Sequence, residues 1–451
     1  MISDSGLLAV NLMKSSLVES RNVQIYPRAD WDRNEIINLR RQTMKTIQRV
    51  LFVGLLLIVG LMALYAPSVS ASPTTQVYPG DSIQAKIDAT AAGGSVIVHD
   101  GIYHQSVVLN KSLTFRGDGA VLDGTLPADP GTPLLDHGII IAAGTSNVVI
   151  EGIEIRSCQG NGICAWNQGT SGIILRGNNI HDCKGAGIQA GNRGEGYHDS
   201  WRITNNEVFN NLGRYGIDLR NARNSVISQN TVTQPAGTSA GIYVAAWNGV
   251  SSAPVAATAV NVSYNTVRGS AIYLKADRES SGGEAVLENV RVIGNQVLGS
   301  GWDGIWAGSP AGAYREVRSV IVRGNDIRES AGGGIVLHNV RDASVVENTV
   351  KKNGGAGVFL NSVPDSNVRC NVASGNDSGI RLAGPDSRSN KILENTCNNN
   401  TNFGISLVMG ASNNLVRDND AFNNGAFDLF QEANCNGNVW KYNDFGTTSG
   451  I

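Results

Sequence analysis

The chain has 451 residues, 36 Lys and Arg against 38 Asp and Glu, a formal net charge of −2, 54 Gly and six Cys. That length leaves room for two or three domains. The near-neutral balance, with no basic block, argues against a nucleic-acid binder, which needs a cationic footprint.

Residues 1–43 read as an upstream extension with no predicted structure. Residues 50–66 are almost wholly apolar, with Arg40, Arg41, Lys45 and Arg49 before them and Val69-Ser70-Ala71 after. A basic region, an apolar stretch and a small-residue site make residues 44–71 a secretory signal peptide, starting at Met44 and cleaved near Ala71. The alternative is a single-pass membrane anchor, for which the stretch is slightly short. The expected location is therefore the cell exterior or envelope. Asp81-Ser82-Ile83-Gln84-Ala85-Lys86-Ile87-Asp88-Ala89 then predicts a short amphipathic helix with Asp81 or Ser82 as N-cap. Ser95-Val96-Ile97-Val98, Gly101-Ile102-Tyr103 and Ser112-Leu113-Thr114-Phe115-Arg116-Gly117 read as strands.

From there on the chain repeats. An Asn closing a short β-branched run falls at 178, 206, 230, 265, 295, 325, 348, 371, 395, 419 and 443, with the last four steps 23 or 24 residues long. Between successive Asn lies Gly followed by Ile or Val, as at Gly187-Ile188, Gly216-Ile217, Gly241-Ile242 and Gly304-Ile305, with Ala271-Ile272 filling one gap. Alternating apolar residues give strands, and Gly, Asn, Asp and Ser give turns. Two to three short strands per repeat, stacked coil on coil, predict an all-β chain: a parallel β-helix solenoid of about a dozen coils. The Asn column then forms a structural ladder, with no catalytic role.

These residues, the opening helix and strands above all, resemble the right-handed parallel β-helix superfamily, the pectin-lyase-like fold with its carbohydrate-binding and sugar-hydrolysis repeats. The resemblance spans residues 76–445 and implies one domain whose N-terminal helix caps the open end of the stack. A cap is needed because an uncovered coil exposes core and strand edges. Fold alone does not fix activity.

Cys158 and Cys183 share a register position on adjacent coils, at a spacing a disulfide accepts. Export would permit the bond; two stacked reduced thiols are the other reading. Cys164, Cys370, Cys397 and Cys435 share no column and no metal-ligand spacing.

Coil length places the expected site. From Gly-Ile to the next Asn the distance is 14 residues in the short coils, but 19 at 187–206, 24 at 241–265, 24 at 271–295 and 21 at 304–325. Such insertions, always after the Gly-Ile strand, wall a binding face. The outward residue after each Ile forms a column: Gln189, Asp218, Tyr243, Tyr273, Trp306, Val336, Phe359. Two residues on, a second column contains Arg220, Lys275, His338 and Asn361. Aromatic faces with polar tips suit sugar rings, so the expected partner is a polysaccharide and the expected state a monomer.

Ala271-Ile272-Tyr273-Leu274-Lys275 resembles the Arg-Ile-Lys segment of polygalacturonase-type hydrolases, which implies that Lys275 binds a uronate carboxylate. The family Arg falls at Tyr273, and the paired-Asp and His-Gly motifs are absent, as is the Asp-Pro-His signature of alginate epimerases. Asp218 and Asp303 lie three coils apart, too far for a retaining carboxylate pair. Lyase or epimerase chemistry on a uronate polymer fits better, needing a cation for the carboxylate and a base. The candidates are Lys275 or Tyr243 as base and Arg220 as neutraliser, with Asp218 beside them. Tyr273, Trp306, Asp303, His338, Arg278 and Trp247 are the expected substrate contacts. A Lys base needs a depressed pKa, for which Arg220 and Arg278 are the available cations.

Calcium is a candidate cofactor by resemblance, with Glu195, Asp199, Asp277 and Glu279 the loop carboxylates; no residue is assigned as a metal ligand. Glu195-Gly196-Tyr197-His198-Asp199-Ser200-Trp201 is expected to form a groove wall or lid. The competing classes are a non-catalytic sugar-binding or surface protein, akin to the accessory β-helix proteins of copper-site maturation, and a glycoside hydrolase. Six His and five Met with no clustering disfavour a copper role.

Overall fold

The computed structural model describes residues 73–451 except 127, 130–134, 166–168, 192–195, 236–238, 250–252, 280–281 and 311–313. The extension, the segment 44–71 and Glu195 lie outside the described residues.

The strands are short because the chain turns every few residues. Val226–Ser228, Asn261–Ser263, Arg291–Ile293 and Ile321–Arg323 each bury their central side chain, and each pairs in parallel with the same three positions one coil later. The largest sheet takes two such strands from most coils, one on each side of the repeated Asn. The Gly-Ile strands form a fourteen-stranded parallel sheet running from Val107–Leu109 to Thr448–Ser449. Its inward residues, Ile188, Ile217, Ile242, Ile272 and Ile305 among them, are fully buried in one continuous core.

A third sheet of seven strands, from Thr170–Ser171 to Val340–Arg341, belongs only to the earlier and middle coils. The added length there is thus partly strand. Ala240–Asn248 and Ile272–Arg278 run on past their neighbours, with Ala246, Trp247 and Asn248 registered on Ala276, Asp277 and Arg278.

The Asn ladder is continuous from Asn178 to Asn443. Asn371 donates from its backbone N to Asn395 Oδ1 at 3.0 Å, and from Nδ2 to the same oxygen at 2.9 Å and to the Val345 carbonyl at 2.8 Å. The other steps repeat this backbone-plus-amide pair. Each ladder Asn follows a residue of positive φ, such as Gly177, Gly294, Gly324, Glu347 or Glu394. That left-handed turn explains the recurrent Gly-Asn pair. Where a non-Gly residue occupies it, the ladder hydrogen bonds help to hold a conformation that costs about 1–2 kcal/mol.

Two further ladders appear in the later coils. Asn353, Asn376, Asn400 and Asn424 form one, five residues after the first ladder's Asn, and Asp428 Oδ1 closes it. Ser366, Asn390, Asn414 and Asn438 form the other, five residues before.

The capping helix is Ile83–Ala89, with Ser82 as N-cap accepting from Ala85 N at 3.3 Å; Ile83 and Ile87 plug the core. The next strands are longer than the sequence suggests, Ser95–Tyr103 and Leu113–Asp123, because a register shift near His99 lets the chain continue through the intervening residues. Cys158 and Cys183 are buried free thiols, donating to the Arg156 and His181 carbonyls at 3.6 and 3.5 Å.

Candidate functional site

The register reproduces the outward columns. Gln189, Asp218, Tyr243, Tyr273, Trp306, Val336 and Phe359 are successive partners. Arg220, Ala245, Lys275, Gly308, His338 and Asn361 form the parallel column.

The outer face of the middle coils has two levels. The lower is a sealed floor. Asp218 is 0% exposed, and Arg220 grips it through Nε at 3.0 and 3.2 Å and Nη2 at 2.8 Å. Gln189 Nε2 donates to Asp218 at 3.2 Å, and Asn161 Nδ2 in turn donates to Gln189 at 2.7 Å. Burial raises the Asp218 pKa, opposed by the Arg220 charge and by the hydrogen bonds from Arg220 and Gln189. The Arg220 guanidinium also lies over Tyr215, Tyr243 and Trp247, at 5.9, 5.6 and 5.2 Å from their ring centroids. These are cation–π distances.

Asp218, Arg220, Tyr243 and Trp247 were all expected to face a ligand. Strand alternation does point them outward, but they cover one another. Tyr243 is only 2% exposed and joins Ala240, Ala245, Tyr215 and Tyr273 in a small apolar cluster on the outside of the sheet. Burial holds its phenol well above the usual pKa.

The upper level is an open groove of about 440 Å³. Tyr215, Tyr243, Tyr273 and Trp306 supply rings, and Lys275, His338 and Arg214 supply charge or basicity. Ser239, Ser309 and Pro310 complete the lining. Tyr215 stacks on Tyr243 at 4.2 Å between centroids, and Tyr273 meets Trp306 at 5.4 Å and 47°. Burial pushes the Tyr273 pKa up to about 12. Lys275 Nζ lies 2.6 Å from Asp277, whose other oxygen is 3.4 Å from Arg315. His338 Nδ1 is 3.0 Å from the Asn361 amide nitrogen, and burial lowers its pKa.

The structure therefore gathers Tyr243, Lys275, Tyr273, Trp306 and His338 around one cavity. Asp218, Arg220 and Trp247 lie outside its lining, in the floor. Arg278 is drawn away: its Nη1 donates to the Gly282 carbonyl and its guanidinium lies over Tyr314. Asp303 accepts from Gly333 N at 2.7 Å, and burial raises its pKa. It too is absent from the lining.

The segment expected to wall or cover the groove instead packs down. His198–Asp199 is a strand of the third sheet, and Trp201 is fully buried, with its indole N–H on Thr170. Asp199 accepts from Asn224, and Glu279 is exposed. Among the described residues no group of three or more His, Cys, Asp and Glu gathers as metal ligands.

Sequence reasoning missed Tyr215, Arg214, Ser239, Ser309 and Pro310. Tyr215 had a findable signal: it lies three residues before Asp218, a register position also held by Phe403 and Phe427 in later coils.

A family model described as right handed beta helix region matches residues 135–253 and 270–446, together more than half of the chain. No curated protein matches by sequence. Among solved structures, the chain is similar to the A-module of mannuronan C-5 epimerase AlgE6 of Azotobacter vinelandii, at 15% identity over 79% of this chain and 94% of that one, with a TM-score of 0.50. The AlgE4 A-module of the same organism gives 17%, 82%, 95% and 0.47. The periplasmic alginate epimerase AlgG gives 12%, 83%, 84% and 0.46. At these identities the likeness speaks to the fold.

Proposed function

We propose, for a chain that belongs to the right-handed β-helix family, that its groove binds a stretch of acidic, uronate-containing polysaccharide and removes the proton α to a uronate carboxylate, as a lyase or an epimerase does. One observation carries this reading: three half-exposed rings, two cations and an imidazole line a single groove built by successive coils. Tyr215, Tyr273 and Trp306 offer faces to sugar rings. Lys275, already paired with the Asp277 carboxylate, is a cation and serves as carboxylate neutraliser, not base. His338 is the base. Its lowered pKa keeps it neutral near pH 7, as proton abstraction requires. Tyr273 stays protonated and supplies the acid.

In the lyase form, His338 takes the C5 proton, the C4–O bond breaks, and Tyr273 protonates the leaving oxygen. In the epimerase form, the C5 proton leaves to His338 and Tyr273 delivers its own phenolic proton to C5 from the opposite face. Asp218, Arg220 and Tyr243 hold the floor beneath. The fold accommodates such an activity in at least one neighbour, which is named a mannuronan C-5 epimerase. Export through the segment 44–71 would bring the chain to such polymers; N-terminal sequencing of the mature protein tests the cleavage near Ala71.

The chemistry is tested by incubating the protein with pectate, alginate and glycosaminoglycans, with and without calcium. Two signals are read: ultraviolet absorbance of unsaturated uronides, and deuterium uptake at C5 from heavy water. Wild type should give one of them, and Lys275→Ala and His338→Gln should lose it. The rate should fall as pH drops below 6.5, the ordinary His value, where His338 begins to take up a proton. Binding without either signal would leave a carbohydrate-binding module, the second reading. That reading is favoured by Arg220 and Lys275 each carrying an internal carboxylate partner. Absence of binding would remove both.

A further inference from the structure

The outward column that lines the groove does not end there. After Trp306 it continues through Val336, Phe359, Arg381, Ser406 and Phe430. In the parallel outward column, Arg220 of the floor and Lys275 of the groove are tied to Asp218 and Asp277. Arg381 differs. Its guanidinium lies 5.6 Å from the centroid of Phe359, its Nε is buried without a partner, and among the described residues it has no carboxylate within ion-pair reach. Beyond it Phe403 and Phe430 stack at 4.8 Å, and Phe427 lies 6.1 Å from Phe430. All four Phe rings are half-buried.

We infer that Arg381, set against Phe359 and followed over the next two coils by the Phe403–Phe430 pair, is a second binding station for the same acidic polysaccharide, so that the chain runs parallel to the solenoid axis. This rests on the reading of the groove as a uronate-polymer site. Four coils separate Lys275 from Arg381, about 19 Å along the axis at strand spacing. Only an oligosaccharide of several units bridges them. The station repeats the groove's chemistry, ring faces beside a cation, on the same sheet, with Arg381 in the register of Tyr273 and Trp306. Among the described residues no carboxylate neutralises its cation, so it has an anion to gain. A guanidinium takes a carboxylate through two parallel hydrogen bonds. The regular later coils, which look like scaffold in the sequence, thus carry part of the recognition surface.

The test uses fluorescently labelled oligogalacturonates and oligoalginates of two lengths, one filling only the groove and one longer than the ~19 Å span. Wild type should bind the longer chain more tightly. Arg381→Ala should lower long-chain affinity about 10-fold relative to the short chain. Arg381→Lys should recover part of that loss, because it keeps the charge without the fork. Phe359→Ala should act in the same direction, with thermal melting showing that both variants are folded. If Arg381→Ala leaves the long-to-short ratio at the wild-type value while Lys275→Ala weakens both chains, the second station is wrong and the groove stands alone. Wild type that binds neither length removes the groove reading, and this inference with it.

Discussion

The coils from Asn178 to Asn325 and those from Asn348 onward share one ladder but use their remaining turns differently. In the later coils all three turns carry Asn ladders: Asn371 and Asn395, Asn376 and Asn400, Asn390 and Asn414. In the coils of Asn265, Asn295 and Asn325 the position five residues after the ladder Asn holds Ser270, Ser300 and Ser330, and the position five before holds Val260, Val290 and Val320, whereas the earlier coil of Asn206 still carries Asn211, which accepts from Cys183 N and donates from its own N to Gln234. There the third sheet replaces the turn, and strands such as Ala240–Asn248 grow longer. A turn fixed by amide ladders has little freedom to vary. A coil that gives up two ladders gains a corner where strands lengthen and rings accumulate. The site and the scaffold thus differ by which turns are locked.

The sharpest way to break this comparison is at the floor of the middle coils. Asp218→Ala leaves Arg220 without its carboxylate among three rings, and should cost about 3–5 kcal/mol in denaturant unfolding. A loss under about 1 kcal/mol would mean the floor is not organised by that ion pair.

The shared ladder comes next. Asn395→Ala removes the acceptor of Asn371 N and of one Asn371 Nδ2 hydrogen, and the amide donor to the Val368 carbonyl, while Asn419 Oδ1 keeps its bond from the backbone N of residue 395. Asn265→Ala removes the matching set in a middle coil. Both should cost about 3 kcal/mol. A markedly smaller cost for Asn265 would show that the middle coils have exchanged ladder strength for their longer strands.

Trp306→Ala should weaken polymer binding about 10-fold, near 1.4 kcal/mol, with little change in melting temperature. Tyr442→Ala, 80% exposed in a regular coil, should change neither. Equal effects on binding would spread the surface over the whole solenoid.

The smallest effect is a pH response at the end of the second later ladder. Burial alone would raise the Asp428 pKa, but hydrogen bonds from Asn424 and Thr447 outweigh it and hold the pKa below 3.8. A lowered folded-state pKa gives stability that is present above the unfolded value and lost as pH falls through the folded one. Amide exchange at Gly446 and Thr447, both bound to Asp428 Oδ2, should therefore accelerate, relative to the intrinsic rate, only below about pH 4. No such change would mean that Asp428 does not tie down the last coil.

Much of the fold is legible in the residues. The Asn spacing, the Gly-Ile pairs and Ser82 ahead of Ile83 mark the coil, the inward strand and the cap. Those signals are local and periodic, because every coil must bury the same stripe at the same rise. The ladders at Asn376 and Asn390 follow the same period and were equally readable. The long coils gave a weaker signal: length showed where they depart from the repeat, but length does not distinguish a loop from a third sheet.

For the site, sequence fixed the face and the register of Tyr243, Tyr273, Trp306, Lys275 and His338, because strand alternation and a constant coil step determine both. Only the tertiary structure decided depth. Asp218, Arg220 and Tyr243 point outward by alternation yet are largely covered, since side chains from adjacent coils close over them: Gln189 on Asp218, Tyr243 on Arg220 and Tyr215 on Tyr243. Exposure is a property of neighbours that are 25 or more residues away in the chain, as Tyr215 and Tyr243 are, and no local pattern records it. The Lys275–Asp277 pair is the exception, two residues apart on one strand face and so open to strand alternation; what needed the fold was that no carboxylate among the described residues reaches Arg381.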